Sequence, residues 1–216
     1  MCVNGITEYK NTDFCVKKAY LWAKQTTMKI LLAHALTEEC GNIVLQGHDC
    51  CFCQTGIGKV QAALTVEAAL LDTKPELVIN LGSAGALHHQ IGDILLCTRF
   101  IDRDLKKVAI PGVCDELDFT AALTSAGWFV DYTLGHTVST GDSFVTSEAD
   151  LDTSVDVVDM EAFAIAAACH RHTIPFLSVK FVTDTVGKNS LEAWAEKLSH
   201  ANQGLEAFMN ALRIQA

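Results

Sequence analysis

The chain is poor in proline: Pro75, Pro111 and Pro175 are the only three in 216 residues, and no proline-rich or low-complexity tract divides it. One globular domain is therefore expected, and with 50% hydrophobic residues it can bury a substantial core. No uncharged apolar run approaches the roughly 18–20 residues of a membrane-spanning helix. Near the N-terminus Glu8, Lys10, Asp13, Lys17 and Lys18 stand where a secretory signal would place its apolar stretch. Membrane contact is not expected, and the cytoplasm is the expected location. Positive charge is scarce as well, 16 Lys and Arg against 26 Asp and Glu for a net −10. A phosphate backbone finds no broad basic face here, so nucleic acid is not an expected partner. Cysteine is plentiful, but neither its number nor the length of the chain suits a disulfide framework. The count of nine is odd, and the chain is far longer than small secreted domains that need stapling. Free thiols are expected. Cys51 and Cys53, beside Cys50, would share one face of a strand as small buried hydrophobes.

Four short apolar runs read as buried strands: Lys29 to Ala35, Glu76 to Leu81, Ile94 to Thr98 and Pro175 to Val182. Helical stripes follow. Val60, Ala63, Leu64, Ala68 and Leu71 form one, and Ala162, Ile165, Ala166 and Cys169 another. A longer C-terminal stripe runs through Leu191, Trp194, Ala195, Leu198, Ala201, Leu205, Phe208, Met209 and Leu212. Strands alternating with helices predict a largely parallel sheet covered on both faces, with ligands bound beyond the carboxyl ends of its strands. Residues 1–27 fit this plan poorly and are read as an N-terminal extension; 28–216 form the domain.

The residues just after each strand are where chemistry is expected. Gly56-Ile57-Gly58-Lys59 sits between a strand and a helix, but Val60 follows the lysine where a phosphate-binding P-loop needs Ser or Thr. Close packing at a turn explains it as well. Asn80-Leu81-Gly82-Ser83-Ala84-Gly85-Ala86 reads as a turn of small residues with backbone donors and one hydroxyl. Ser139-Thr140-Gly141-Asp142-Ser143-Phe144-Val145 adds an aromatic face able to stack on a base, though a lone Phe is more often core. Val158-Asp159-Met160-Glu161-Ala162 puts a carboxylate at a helix opening, able to accept two ribose hydroxyls or simply to complement the helix N-terminus. Val179 to Gly187 is a buried strand reaching Thr183-Asp184, where Asp184 is either functional or a turn cap. His88 and His89 fall in a surface-like loop and read as solvated, not as metal ligands.

Taken in this order, Thr-Gly-Ile-Gly-Lys, Asn-x-Gly-Ser-Ala-Gly, Ser-x-Gly-Asp-x-Phe, Val-Asp-Met-Glu-Ala and the strand ending in Asp184 resemble the 5′-methylthioadenosine/S-adenosylhomocysteine nucleosidases of the purine nucleoside phosphorylase superfamily. The resemblance covers about Met28 to Leu212. It implies a three-layer αβα sandwich with a mixed, largely parallel central sheet, no cofactor, no metal and a homodimer. It implies hydrolysis of a purine nucleoside's N-glycosidic bond with release of adenine, a reaction of methionine salvage. By the same resemblance Asp184 is the acid that protonates N7 of the leaving base. Glu161, with Met160 beside it, binds the ribose, and Glu39 of Ala35-Leu36-Thr37-Glu38-Glu39 is the base for the attacking water. Ser83 helps hold that water, Phe144 stacks on the purine, and Val145 meets the base edge through its backbone.

The residue types suit the chemistry. Breaking the bond leaves positive charge on the sugar and negative charge on the base, so a proton donor for one and carboxylates near the other are required. Phosphate as nucleophile would need cations. The positions where phosphorylase relatives carry arginine hold His34-Ala35-Leu36 and Asn80-Leu81 here, and Arg99, Arg103, Arg171 and Arg213 lie outside those turns. Three departures stand out. Lys180 occupies the place of an arginine near the water, Trp194 that of a phenylalanine closing over the base, and only 16 residues separate Glu39 from Gly56. A phosphorylase, a futalosine-type or other purine nucleosidase, and a catalytically silent nucleoside-binding protein are the alternatives.

Overall fold

Aliphatic side chains crowd both faces of three segments, and these segments form the middle of the sheet. Strands β1 (Lys29–His34), β3 (Leu77–Ala86) and β8 (Phe176–Thr185) are buried almost throughout, as strands covered on both sides must be. A computed structural model describes residues 27–145, 147, 151–152, 154–186 and 190–215, with only the backbone of 190–193, 195 and 196. Residues 1–26 of the expected extension, Gly187, and the Leu191 and Ala195 side chains lie outside the described set. The remaining strands are β2 (Asp49–Gln54), β4 (Ile94–Asp102), β5 (Glu116–Asp118), β6 (His136–Thr140) and β7 (Val157–Asp159). Helices are α1 (Lys59–Thr73), α2 (Arg103–Val108), α3 (Thr120–Ala126), α4 (Ala162–Arg171) and α5 (Ser190–Ala211), with a 3-10 turn at Thr37–Glu39.

The strand order is β2-β1-β3-β7-β6-β4-β5, and β8 pairs with both β3 and β4. Strands β3, β7, β6, β4 and β8 thereby close a ring, from which β1 and β2 extend on one side and β5 on the other. Five pairings are parallel (β1 with β2 and β3, β3 with β8, β4 with β6, β6 with β7) and three antiparallel. This is the expected α/β fold with a mixed, largely parallel sheet. Helix α5 packs on β8 and β3, while α1 packs on α4. The α4 stripe of Ala162, Ile165, Ala166 and Cys169 is buried as expected, and so are Ala201, Leu205 and Met209 of α5 and Leu212 just after it.

Two expectations change. Asn80–Ala86 is not a turn. It continues β3, because Gly82 through Ala86 pair with Lys180 through Thr185 of β8 and Gly85 pairs with Val158 of β7. Small residues there permit close approach of neighbours, a demand that composition alone cannot separate from a turn. The α1 stripe also turns the other way. Ala62, Val66 and Leu70 face the core, whereas Val60 and Leu64 are each 66% exposed and Leu71 61% exposed. Both faces of α1 are apolar, so periodicity left its rotation undetermined. In β2, Cys53 is buried and Cys51 half-buried, and all seven described cysteines are free.

Candidate active site

A cavity of about 270 Å³ opens at the carboxyl ends of the strands, where an α/β sheet of this kind collects ligand groups. Glu39, Ser83, Phe144, Val145, Met160, Glu161, Asp184 and Trp194 all line it. Lys180 does not. It lies fully buried beneath the cavity, with its ammonium 2.9 Å from Asp159 Oδ2.

Glu39 reaches the cavity because the chain folds into a tight 3-10 turn as soon as β1 ends. Its Oε2 accepts from the Ala35 and Leu36 amides at 3.2 and 3.1 Å. Its Oε1 accepts from the Ser83 amide at 2.9 Å and the Ser83 hydroxyl at 2.7 Å. Four donors hold this carboxylate in one orientation, which is the preorganisation a base requires. Ser83 Oγ in turn accepts the Trp194 indole N–H at 2.9 Å. The same Trp194 ring meets Phe144 edge to face at 6.3 Å, so two aromatic walls are built by one contact.

The glycines of Asn-Leu-Gly-Ser-Ala-Gly have a spatial function. A Cβ on Gly82 would stand 3.1 Å from Lys180 Nζ and 3.5 Å from Glu39 Oε1; on Gly85 it would stand 3.0 Å from Asp184 Oδ2. Backbone without side chain at these two points lets three charged groups approach β3. Asp184 itself is buried near the end of β8, and its Oδ1 accepts the Thr183 hydroxyl at 2.9 Å.

Glu161 stands at the opening of α4 and accepts the Gly58 amide at 2.8 Å. Burial first, and then the negative charge of Asp159, push its pKa up to about 7, against the pull of Lys180 and the Gly58 amide. For Lys180 burial works in the opposite direction, yet Asp159 and Glu161 outweigh it and hold the ammonium above the ordinary lysine range. Asp159 is further satisfied by the Thr140 hydroxyl at 2.6 Å and the Ala162 amide at 2.8 Å.

Two residues escaped the sequence reading. Asp159 was passed over for its neighbour Glu161, although it is the partner that makes a buried lysine tolerable. Arg103 was dismissed as lying outside the relevant turns, yet it lines the cavity. Its NH1 donates to the Ser139 and Asp159 carbonyls and its NH2 to those of Gly141 and Ser143. The guanidinium thus buckles the loop after β6 onto the sheet and is committed to backbone. Its one signal in the sequence was its place, directly after the strand that ends at Asp102. The Gly56–Lys59 turn is equally committed: the Lys59 amide donates to Asp142, and its ammonium pairs with Asp102 at 3.0 Å and Asp104 at 2.7 Å. Among the described residues the cavity lining holds no uncommitted cation.

Residues 33–213 match the phosphorylase superfamily. A 5′-methylthioadenosine/S-adenosylhomocysteine nucleosidase of Bacillus cereus is 32% identical over 180 residues, 73% of this chain and 78% of its own length. The crystal structure of the S-adenosylhomocysteine nucleosidase of Streptococcus pyogenes in complex with 5-methylthiotubericidin superposes with a TM-score of 0.69 at 27% identity, covering 87% of this chain and 98% of that one. At 19% identity, a Helicobacter pylori structure with 5′-methylthioadenosine in its active site shares the fold, with a TM-score of 0.73 over 86% of this chain and 98% of the other.

Proposed function

The chain belongs to the phosphorylase superfamily and, within it, to the 5′-methylthioadenosine/S-adenosylhomocysteine nucleosidases, and on that premise we propose that its cavity hydrolyses the N-glycosidic bond of such an adenine nucleoside and releases adenine. The observation that carries this reading is the convergence of Glu39, Glu161 and Asp184 on one cavity with no free cation beside them among the described residues. Two carboxylates, Glu39 and Glu161, beside a sugar whose anomeric carbon gains positive charge, with the acid Asp184 at the departing base, are complementary to the transition state.

Asp184 supplies a proton to N7 as negative charge builds on the departing purine. Phe144 stacks on the base with Trp194 against its ring, and the Val145 backbone meets the base edge. Glu161 accepts hydrogen bonds from the ribose hydroxyls, with Met160 against the sugar. Glu39, held by four donors, takes the proton of the attacking water, which Ser83 helps to position. Lys180 acts from below, offsetting the mutual repulsion of Glu39, Asp159 and Glu161 without touching the substrate. General acid catalysis contributes about 10² to 10⁴. Electrostatic complementarity and positioning contribute the larger remainder.

Water is favoured over phosphate because, among the described residues, the cations about the site are spent: Arg103 on carbonyls, Lys59 on Asp102 and Asp104, Lys180 on Asp159. The reaction calls for no cofactor. We further propose that residues 28–216 form the single nucleosidase domain, that it works in the cytoplasm as part of methionine salvage, and that it is a homodimer. The exposed α1 stripe of Val60, Leu64 and Leu71, with Ile57 at its start, supports the last point. The decisive experiment follows base release from 5′-methylthioadenosine, S-adenosylhomocysteine, adenosine and inosine with and without phosphate. Adenine release from the first two, indifferent to phosphate, is expected; phosphate-dependent release or bound but uncleaved nucleosides would overturn the reading.

A further inference from the structure

We propose that His89, His136 and Asp156 form a binding site for one divalent transition-metal ion of the zinc type, at the starts of β6 and β7 and outside the lining of the active-site cavity. His89 belongs to the loop after β3, His136 opens β6, and Asp156 immediately precedes β7. The cavity lies beyond the opposite ends of β6 and β7. His89 is not the solvated loop residue its context suggested: it is half-buried and its Nε2 lies 2.9 Å from Asp156 Oδ1. His136 Nδ1 lies 3.3 Å from the same oxygen, and all three atoms fall within 4.8 Å of one another.

Ligand atoms each about 2.1 Å from an ion are roughly 2.9 Å apart in octahedral and 3.4 Å apart in tetrahedral geometry. Two of the three separations here already match that range. The rings stand nearly perpendicular and edge to face, at 85° with centroids 5.6 Å apart, and each keeps a nitrogen near Asp156 Oδ1. Two imidazoles and one carboxylate form a borderline donor set, suited to zinc and its late first-row neighbours over magnesium or calcium. The groups around the three residues suit an ion as well. Asp156 Oδ2 accepts the Thr137 amide at 2.8 Å, which aims Oδ1 at the rings, and Asp93 Oδ2 stands 4.0 Å from His89 Nδ1, the side on which metal-bound imidazoles commonly meet a carboxylate. Three partly exposed ligands leave an entry path and an open coordination position. Because they come from three separate segments, the ion would clamp the β3–β4 loop to the starts of β6 and β7. It takes no part in glycosidic cleavage.

The full chain, stripped with a chelator, is titrated with Zn²⁺ by calorimetry, and the Co²⁺-loaded form is read by visible absorption. One equivalent bound at micromolar or lower concentration is expected, with a higher melting temperature and a Co²⁺ spectrum free of thiolate charge-transfer bands. That equivalent disappears in His136→Ala and in the milder His89→Gln, while both variants keep the wild-type rate of adenine release and wild-type circular dichroism. Should the alanine variant fail to fold, His89→Gln alone decides. Undiminished binding in His89→Gln, a thiolate band assigning the ion to the free cysteines, or no binding to the wild-type chain overturns the proposal.

Discussion

Lys180 Nζ lies 2.9 Å from Asp159 Oδ2, and neither side chain is more than 2% exposed. Removing one member of such a pair leaves an uncompensated buried charge, which costs about 3–5 kcal/mol. Lys180→Met is therefore expected to lower the stability measured by urea unfolding by that order. Adding Asp159→Asn should restore part of the loss, because contacting residues couple. Strictly additive losses would show that the pair is not an energetic unit.

Asp184→Asn keeps the shape of the side chain and removes the acid. It is expected to bind the nucleoside while its rate of adenine release falls by about 10² to 10⁴. Equilibrium binding and single-turnover kinetics separate the two effects. Wild-type turnover by this variant would remove Asp184 from the chemistry.

Burial, and then the charge of Asp159, push the pKa of Glu161 from its ordinary 4.5 up to about 7. A raised folded-state pKa means that the fold favours the protonated form. The resulting stability is complete below about pH 4.5 and is lost as pH rises through about 7, an effect on the order of 3 kcal/mol. Glu161→Gln should be more stable than the native chain at pH 8 and indistinguishable from it near pH 4.5; parallel stability curves would refute this. If the ionised form binds ribose, kcat/KM should also rise with pH through about 7 in the free enzyme.

Gly85→Ala would place a Cβ 3.0 Å from Asp184 Oδ2 and 3.2 Å from Val158 Cγ2. Shifting a catalytic group by even a fraction of an ångström is expensive, so a fall in kcat of about tenfold to a hundredfold is expected in a folded protein. Steady-state kinetics beside a thermal melt would test it. Unchanged kcat would mean that the Asp184 position is not critical.

Leu64 is 66% exposed on a helix face that also presents Val60 and Leu71. Leu64→Asp is expected to convert a dimer into a monomer in analytical ultracentrifugation, with circular dichroism unchanged. A wild-type chain that sediments as a monomer would end the dimer proposal.

The strands β1 and β8 and the helix α4 were legible because each carries apolar residues in only one consistent pattern. Helix α1 was not, since apolar residues occupy both of its faces and only the packing of Ala62, Val66 and Leu70 on their neighbours selects one. Asn80–Ala86 was misread as a turn because small residues serve turns and tight strand contacts alike. Of the nine site residues expected from the sequence, Lys180 alone lies off the cavity wall, held below it by Asp159.

By itself the sequence determined the residue types and their order along the chain: carboxylates at Glu39, Glu161 and Asp184, and small residues between them. Such information is local, written in short motifs and in the periodicity of apolar positions. Only the tertiary structure decided that Asp159 neutralises Lys180, that Arg103 is consumed by four carbonyls, that Trp194 is bound to Ser83, and that His89 meets His136 and Asp156. Each of these depends on distances between residues remote in the chain, and hydrogen bonds and ion pairs change by kilocalories over an ångström.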